Sequence, residues 1–358
     1  MVSEKDILVR LLRGEILLPP LDIRPLGEKS AGVDALVEVA WQQRVFRFAA
    51  ECKADSSPKA IRDVATQLAL TAPTLRANPL LIVPWLPLEQ LRQLEQQQVS
   101  GIDLNGNGVV IVPGELLVFR TGQPNAYPQS RPIRNVYRGD SSIVARVFLL
   151  RPIYGGVGEI REEIRSRSSD IAFSTTSKVL KVLDADLIVG REAGVIRLLQ
   201  PDKLLDQLAA NYRPPKIQER WVGKCSLGPA ELARALAATA RAGCRLVLTG
   251  AASVNRYATM AREPVISVYC DDSSKRLIER LKLKVEPDAR FPNLELLSTD
   301  EQNVYFDRRI EPEGVFASPV QTWLEMVAGD KRQQAVAEQV RDSLLSHVTE
   351  TAGGCHER

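Results

Sequence analysis

Two stretches near the start of the chain alternate apolar and polar residues with a period of two. They run from Val33 to Ala40 and from Val45 to Lys53, and three polar residues, 42–44, separate them. Such alternation predicts half-buried β-strands, and the short polar linker predicts that the strands pair. We therefore expect a β-hairpin between residues 33 and 53.

The end of this hairpin carries candidate chemistry. A side-chain period of two places Glu51 and Lys53 on one face of the second strand and Cys52 on the other. Asp34, near the start of the first strand, can approach Glu51 across the hairpin. Two carboxylates and the main-chain carbonyl of Cys52 form a hard oxygen set of the kind that Mg²⁺ accepts. Such an ion binds a phosphate oxygen and lowers the pKa of a bound water.

Four polar residues occur along the chain in the order Asp34, Glu51, Lys53 and Gln67, the last on the next predicted helix. This order resembles the PD-(D/E)XK nuclease superfamily, which has the restriction-endonuclease-like fold. The resemblance implies that Asp34, Glu51 and the backbone carbonyl of Cys52 bind Mg²⁺. It also implies that Lys53 activates the attacking water and that Gln67 orients it.

Two features depart from the usual pattern of that superfamily. Val33 stands where the superfamily's name has proline, and the acidic residue often found on the first helix has two candidates here, Glu4 and Glu15. A Glu-x-Lys triplet also arises by chance about once in a chain of this size, and charges on an exposed hairpin face are often only solvated. The solvated surface is therefore the alternative to the catalytic interpretation.

The rest of the first 128 residues mixes helices and strands. Apolar spacing predicts helices over 3–13, 59–70 and 88–98 and strands over 79–84, 109–112 and 116–120. The run Ile-Asp-Leu-Asn-Gly-Asn-Gly at 102–108 is similar to nuclease-fold relatives, and its Asn-Gly pair predicts a tight turn. Proline and polar residues over 123–132 predict a linker, so we expect the first domain to close near residue 128.

Residues 131–214 predict three short helices followed by a hairpin. The helices fall over 140–150, 158–164 and 173–183, with Ser174 as N-cap of the third, and the hairpin over 187–199 turns at Gly194. This order resembles the winged helix-turn-helix family, in which the third helix enters the major groove of DNA.

The winged-helix resemblance assigns DNA contacts to the third helix and to Arg191 of the hairpin. The predicted outward positions of the helix are Thr175, Thr176, Ser177, Lys178 and Lys181, and the predicted inward positions are Val179, Leu180 and Leu183. Between residues 131 and 183, ten Lys or Arg stand against five Asp or Glu, and such an excess suits phosphate contacts. Winged helices also bind proteins, so a protein-binding helical domain is the alternative.

Residues 215–358 predict a third unit. Helices are expected over 229–241, 251–261, 274–283, 318–326 and 331–345, and strands over 244–250 and 265–270. A strand, a glycine, a helix and a strand ending in acidic residues resemble a minimal nucleotidyltransferase core. That family has a Gly-Ser pair and two alternating carboxylates. Here Ala251 follows Gly250, and Asp271 and Asp272 are adjacent, so they point to opposite faces and the domain is expected to be non-catalytic.

A winged helix joined to a degenerate nucleotidyltransferase-like domain is similar to AbiEi-type antitoxins and transcriptional regulators of type IV toxin–antitoxin systems. The resemblance rests on the winged helix and on the helix start Ser318-Pro-Val-Gln. It implies DNA binding and autoregulation, with a cognate toxin protein as partner.

Composition limits the kinds of catalytic and metal site that the chain can form. The chain has 358 residues, a formal net charge of +3 and five cysteines: Cys52, Cys225, Cys244, Cys270 and Cys355. Cysteines so dispersed predict a reducing compartment and neither a disulfide framework nor a zinc cluster. The two histidines, His347 and His356, lie near the end of the sequence, which disfavours His-based catalysis. We find no signal-peptide pattern and no apolar run near the roughly 20 residues of a membrane span, and we expect a cytoplasmic protein without membrane contact.

These observations combine into one expectation. The fold class is α/β and α+β multidomain, with a PD-(D/E)XK nuclease-like domain over 1–128, a winged helix-turn-helix over 129–214 and a non-catalytic nucleotidyltransferase-like domain over 215–358. The expected function is binding of double-stranded DNA in prokaryotic defence or a mobile element, with Mg²⁺-dependent cleavage. The alternatives are a non-catalytic regulator or antitoxin and a protein-binding scaffold.

Overall fold

A computed structural model describes residues 2–30, 32–127, 135–260, 265–287 and 289–353. The described chain forms two compact units, one ending at residue 127 and the other beginning at 135. Both units contain mixed β-sheets covered by helices, which is an α/β architecture. The expected linker over 123–132 lies partly outside the described residues.

The first unit contains the predicted hairpin. Its elements in chain order are α1 (Glu4–Leu12), β1 (Asp22–Ser30), β2 (Val33–Trp41), β3 (Arg44–Cys52), α2 (Pro58–Thr71), β4 (Asn78–Val83), α3 (Leu88–Gln96), β5 (Ser100–Asp103), β6 (Gly108–Val112) and β7 (Leu116–Arg120). The hairpin β2–β3 and the predicted helices are confirmed. The pattern does not predict β1, which contains a proline and a register shift between Pro25 and Gly27, or the four-residue β5.

The seven strands form one sheet in chain order, β1 to β7. Strand β3 is antiparallel to β2 and parallel to β4, so the amino end of β2 and the carboxyl ends of β3 and β4 meet at one edge. Helix α1 packs on one face through Ile7 and Leu11, with Phe48 of β3 in the same core. Helix α2 packs on the other face, where Ala49 lies. Because side chains alternate along a strand, Glu51 lies on the α2 side.

The second unit begins with the elements expected of a winged helix: α4 (Ser142–Arg146), β8 (Ile153–Tyr154), α5 (Val157–Ser166), α6 (Phe173–Ala185), β9 (Val189–Glu192), β10 (Val195–Leu198) and α7 (Pro201–Asn211). The three strands pair in the order β8-β10-β9, and Gly194 turns the β9–β10 hairpin with a positive φ of 85°. The predicted inward positions Val179, Leu180 and Leu183 are buried. The predicted N-cap Ser174 is wrong, because α6 begins at Phe173 and its N-cap is Ala172.

The remaining elements of the second unit are β11 (Glu219–Cys225), α8 (Pro229–Arg241), β12 (Leu246–Thr249), α9 (Ala251–Val254), β13 (Ile266–Cys270), α10 (Ser274–Leu281), β14 (Val285–Pro287), β15 (Leu294–Ser298), β16 (Arg309–Ile310), β17 (Val315–Phe316), α11 (Pro319–Val327) and α12 (Lys331–Gly353). Their seven strands pair in the order β14-β11-β15-β13-β12-β17-β16. The helix predicted over 251–261 is wrong beyond Val254. Beyond Val254 the backbone forms a turn, in which the N–H of Tyr257 donates to the Val254 carbonyl at 2.8 Å, and the Tyr257 hydroxyl donates to the Ala317 carbonyl at 2.6 Å. Ala261 lies outside the described residues.

One hydrophobic core serves both halves of the second unit. Phe148 and Leu180 from the first half of the unit belong to the same buried cluster as Trp323 of α11 and Leu344 of α12. The predicted modules 129–214 and 215–358 therefore share packing across their boundary.

A buried polar network joins the same two halves. Arg146 of α4 donates hydrogen bonds of 2.8 Å to Gln321 Oε1 and 3.0 Å to the Asn303 carbonyl. Gln321 in turn donates to Glu325 at 2.8 Å, and Glu325 also accepts the backbone N–H of Gly250 at 2.9 Å. Burial lowers the pKa of Arg146 to about 10 and raises the pKa of Glu325. The network fixes α4 to α11 and to the end of β12.

The cysteines of the described residues are free thiols that differ in burial. Cys52, Cys225 and Cys270 are buried free thiols and Cys244 is half-buried, whereas Cys355 and His356 lie outside the described residues. Within the described ranges, no helix combines the length and the apolar character needed to cross a membrane.

Candidate functional site

The predicted constellation lies where β2 begins and β3 ends. The last antiparallel pair of the hairpin at this edge is Ala35 with Ala50. Beyond this pair, a side chain replaces the backbone as hydrogen-bond partner: Asp34 Oδ2 accepts the backbone N–H of Cys52 at 2.9 Å. Asp34 therefore lies directly beside the end of β3, as the hairpin pattern predicts.

The Cys52 carbonyl lies on the Asp34 side of β3. The backbone N–H of Lys53 donates to Ile82 of β4 at 2.9 Å, so residue 53 faces β4 while the N–H of Cys52 faces Asp34. Backbone N–H and C=O groups of one residue in a strand point toward the same neighbour. Asp34 and the Cys52 carbonyl thus share the space at the start of β2.

Lys53 forms an ion pair with each of two glutamates. Its Nζ lies 3.0 Å from Glu51 Oε1 and 3.7 Å from Glu4 Oε1. The Glu51 side chain is only 13% exposed and Lys53 is 29% exposed, whereas Glu4 is 55% exposed. We call Glu4, Asp34, Glu51, Lys53 and the Cys52 carbonyl the acidic cluster.

The structure distinguishes the two candidates for an acidic residue near the first helix. Glu4, in the first turn of α1, joins the cluster, whereas Glu15 is exposed and lies 3.9 Å from Arg13. The sequence signal for Glu4 is its place directly after the N-cap Ser3, which fixes it at the amino end of α1.

Electrostatics keep Lys53 charged. Burial lowers its pKa, but the hydrogen bond to Glu51 and the charges of Glu51 and Glu4 outweigh burial, so the pKa lies above its usual value. Asp34 adds to the same effect. Lys53 is therefore an ammonium held between carboxylates, able to donate to a phosphate oxygen or to a water.

The Cys52 side chain takes no part in this chemistry. It is buried on the α1 face, and burial together with the charges of Asp34 and Glu51 raises the pKa of its thiol to about 12. A neutral thiol is neither a nucleophile nor a soft metal ligand.

Gln67 is the predicted site residue that the structure leaves apart. It lies on α2 with an exposed side chain, and among the described residues no hydrogen bond joins that side chain to the acidic cluster. The buried positions of α2 are Ile61, Val64, Ala65 and Leu68. Its role as an orienting residue stays a prediction.

The predicted Mg²⁺ ligands are not a cluster of side chains alone. In the part of the chain that the structure describes, no group of three or more His, Cys, Asp or Glu side chains is arranged to hold a metal ion. The predicted Mg²⁺ set differs from such a group, because it uses two carboxylates and one main-chain carbonyl.

The outer face of α6 carries two lysines. Lys178 and Lys181 are exposed, and Thr175 and Ser177 are half-buried beside them. Thr176 was predicted to face outward, and this is wrong: it is fully buried, and its hydroxyl donates to the Ala172 carbonyl at 3.1 Å.

The β9–β10 hairpin adds exposed arginines. Arg191 is exposed, as predicted, and so is Arg197, which sequence reasoning missed. The signal for Arg197 is its position between the buried residues Ile196 and Leu198, because alternation in a strand predicts that it points outward.

Asp271 and Asp272, which directly follow β13, interact with different arginines. Asp272 lies 3.5 Å from Arg276, whereas the carboxylate of Asp271 interacts with Arg245. The backbone N–H of Gly250, which an anionic ligand could otherwise use, is bonded to Glu325. Within the described residues, neither aspartate belongs to a group of three or more side chains that could hold a metal ion.

Comparison with protein-family models, curated proteins and solved structures finds no match to this chain.

Proposed function

We propose that this protein binds double-stranded DNA and hydrolyses phosphodiester bonds in it with Mg²⁺, using a PD-(D/E)XK-like first unit. The observation that carries the proposal is that Asp34 of β2 and Glu51 of β3 meet at one sheet edge together with Lys53. Charges on a merely solvated surface need no buried partner. Here the Glu51 carboxylate is only 13% exposed and lies 3.0 Å from the Lys53 ammonium.

The donor set of the acidic cluster fits Mg²⁺. Asp34, Glu51 and the Cys52 carbonyl supply oxygen ligands, which hard divalent cations prefer, and Mg²⁺ retains several waters at such sites. When bound, the ion supplies charge neutralisation at the phosphate and a more acidic water.

The chain's own residues supply position and charge. Glu51 and Glu4 hold Lys53 at the sheet edge, where its ammonium can donate to a non-bridging phosphate oxygen or align a water for attack. Donors fixed before the reaction stabilise developing charge without reorganisation in the transition state. Asp34 is held in place by the N–H of Cys52.

The first test is cleavage of supercoiled plasmid by the full chain. With Mg²⁺ we expect nicking that falls by about 10²-fold or more in Glu51→Gln, because the substitution removes a carboxylate charge but keeps the side-chain shape. Glu115→Gln is the matched control, since Glu115 is an exposed glutamate of the same unit. Equal and negligible nicking by the wild type and Glu51→Gln would exclude the nuclease.

The order of elements in the second unit supports the DNA-binding part of the proposal. Three helices, a hairpin and a three-stranded sheet present α6 with Lys178 and Lys181 exposed, as a winged helix that enters a major groove requires. Arg191 and Arg197 lie on the hairpin and are suited to phosphate contacts.

Replacing Lys178 and Lys181 together by alanine is expected to weaken duplex binding. If each lysine contacts one phosphate, the slope of log K against log salt should become shallower by about 1.8, from roughly 0.9 for each contact. Titrations by fluorescence anisotropy at several salt concentrations measure both quantities. The control is the double variant Lys275→Ala/Lys331→Ala, which removes two other exposed lysines and should leave the slope unchanged. An unchanged slope in Lys178→Ala/Lys181→Ala would show that α6 does not contact the DNA.

A non-catalytic regulator or antitoxin of the AbiEi type is the second candidate function. It is favoured by the ion pair of Asp272 with Arg276 and by Glu325 at the Gly250 N–H, which suit a degenerate nucleotidyltransferase-like part. Sequence-selective promoter binding without nicking, and binding of a cognate toxin protein, would support this candidate over the nuclease.

A further inference from the structure

An exposed aromatic side chain lies at the start of α6. Phe173 is the first residue of the helix and is 56% exposed, and its chain neighbours Ala172 and Ser174 are exposed as well. Single exposed apolar residues are ordinary on protein surfaces. Phe173 differs from them by its position, because a helix that enters the major groove contacts base edges with its N-terminal residues.

The phenyl ring of Phe173 is supported by an arginine of α5. The guanidinium of Arg161 lies over the ring, 5.9 Å from its centroid. Arg161 Nε also donates to the carbonyl of Ile171 at 3.1 Å, and Ile171 is buried. The arginine is therefore bonded to the segment that leads into α6 while it covers one face of the ring. A side chain that is positioned in advance loses little conformational entropy when it binds.

The charges near the ring suit a nucleic acid. Ser174, Lys178 and Lys181 follow one another at helical spacing, so they share one face of α6, and all three are exposed. Phe173 begins the helix at the amino end of that face. The carboxylate of Asp170, just before the helix, is paired with Arg165 at 3.0 Å. The exposed ring is thus next to a surface that attracts phosphates.

We infer that Phe173 determines sequence specificity by contacting the C5-methyl group of thymine, an inference that rests on the proposed binding of duplex DNA by α6. In the major groove thymine presents this methyl, whereas the other groups that distinguish the base pairs are hydrogen-bond donors and acceptors. A phenyl ring forms no such bond, so its contact with a base edge is favourable where it removes apolar surface from water. Lys178 and Lys181 contact phosphates, which carry no sequence information.

Two duplexes that differ only in this methyl group test the inference. The full chain, without divalent metal, is titrated by fluorescence anisotropy with an alternating dA-dT duplex and with the same duplex carrying deoxyuridine in place of thymidine. We expect the wild type to bind the thymine duplex about fourfold more tightly, the gain from burying one methyl group. Phe173→Ala should bind both duplexes equally and keep the salt slope of the wild type. Phe173→Leu, which retains an apolar side chain, should keep part of the preference.

The matched control is Phe291→Ala, because Phe291 is a 73% exposed phenylalanine of the same unit, on the segment between β14 and β15. This variant should keep the full preference for thymine. Equal binding of the two duplexes by the wild type, or an undiminished preference in Phe173→Ala, would overturn the inference and leave duplex binding by α6 in place. A wild-type protein that binds neither duplex would contradict the proposed function itself, and the inference with it.

Discussion

Replacing Lys53 by alanine is expected to lower the rate of Mg²⁺-dependent nicking by roughly 10²–10³-fold, the usual effect of removing one positioned donor. Lys53 is the only member of the acidic cluster that brings positive charge, and two glutamates hold its ammonium at the sheet edge. The measurement is the single-turnover rate of plasmid nicking at saturating protein.

DNA affinity should change little in the same variant, because the second unit supplies the expected groove contacts. Lys224→Ala, an exposed lysine of β11, is the matched control and should nick at the wild-type rate. If Lys53→Ala nicks as fast as the wild type, the ion pairs of Lys53 are structural and the catalytic assignment fails.

Replacing Arg146 by alanine is expected to lower the stability of the protein by about 3–5 kcal/mol, the typical cost of breaking a buried charged network. The substitution leaves Gln321 Oε1 and the Asn303 carbonyl without their donor and removes the cation nearest to buried Glu325. For a unit of this size the loss corresponds to a fall in Tm of roughly 6–20 °C. Differential scanning calorimetry measures it.

A surface arginine provides the comparison for Arg146→Ala. Arg276 is 76% exposed and pairs with Asp272 at 3.5 Å, so Arg276→Ala should cost no more than about 1 kcal/mol. If both variants melt at the same temperature, the buried network does not hold the two halves of the second unit together.

The local part of the candidate site was predictable from the sequence, because a strand has a fixed period. That period alone puts Glu51 and Lys53 on one face. The observed turn is residues 42–43, one residue shorter than the predicted 42–44 linker, because Arg44 already pairs with Trp41, and this register brings Asp34 beside Cys52. The sequence offers Glu4 and Glu15 as candidates for a further acidic residue but does not choose between them, because the choice depends on how α1 packs against the sheet.

The helical spacing of apolar residues in α6 also predicts that Thr176 is buried. Thr176 precedes Val179, Leu180 and Leu183 by three, four and seven residues, which places all four on one face of a helix. Three of these residues were predicted to face inward, so the buried position of Thr176 follows from the same spacing. Its hydroxyl is satisfied within the helix by Ala172, which is why a polar residue is tolerated there.

The end of α9 and the partners of Arg146 involve residues that are distant in sequence. A helix is expected from residue 251 to 261, yet α9 stops at Val254, where the backbone N–H of Tyr257 turns back to the Val254 carbonyl and the Tyr257 hydroxyl bonds to Ala317. Arg146 lies in a run of apolar residues from Ile143 to Leu150, and that setting indicates a buried charge. Its partners at 303 and 321 are too distant in sequence for the pattern to reveal.

Metal binding tests the central claim most directly, because the nuclease assignment requires one divalent ion at the acidic cluster. Isothermal titration of the full chain with Mn²⁺ in place of Mg²⁺ should show one site per chain, lost in Asp34→Asn and in Glu51→Gln and retained in Lys53→Ala. Wild-type protein that takes up no ion, or Asp34→Asn and Glu51→Gln proteins that bind it as tightly as the wild type, would contradict the account.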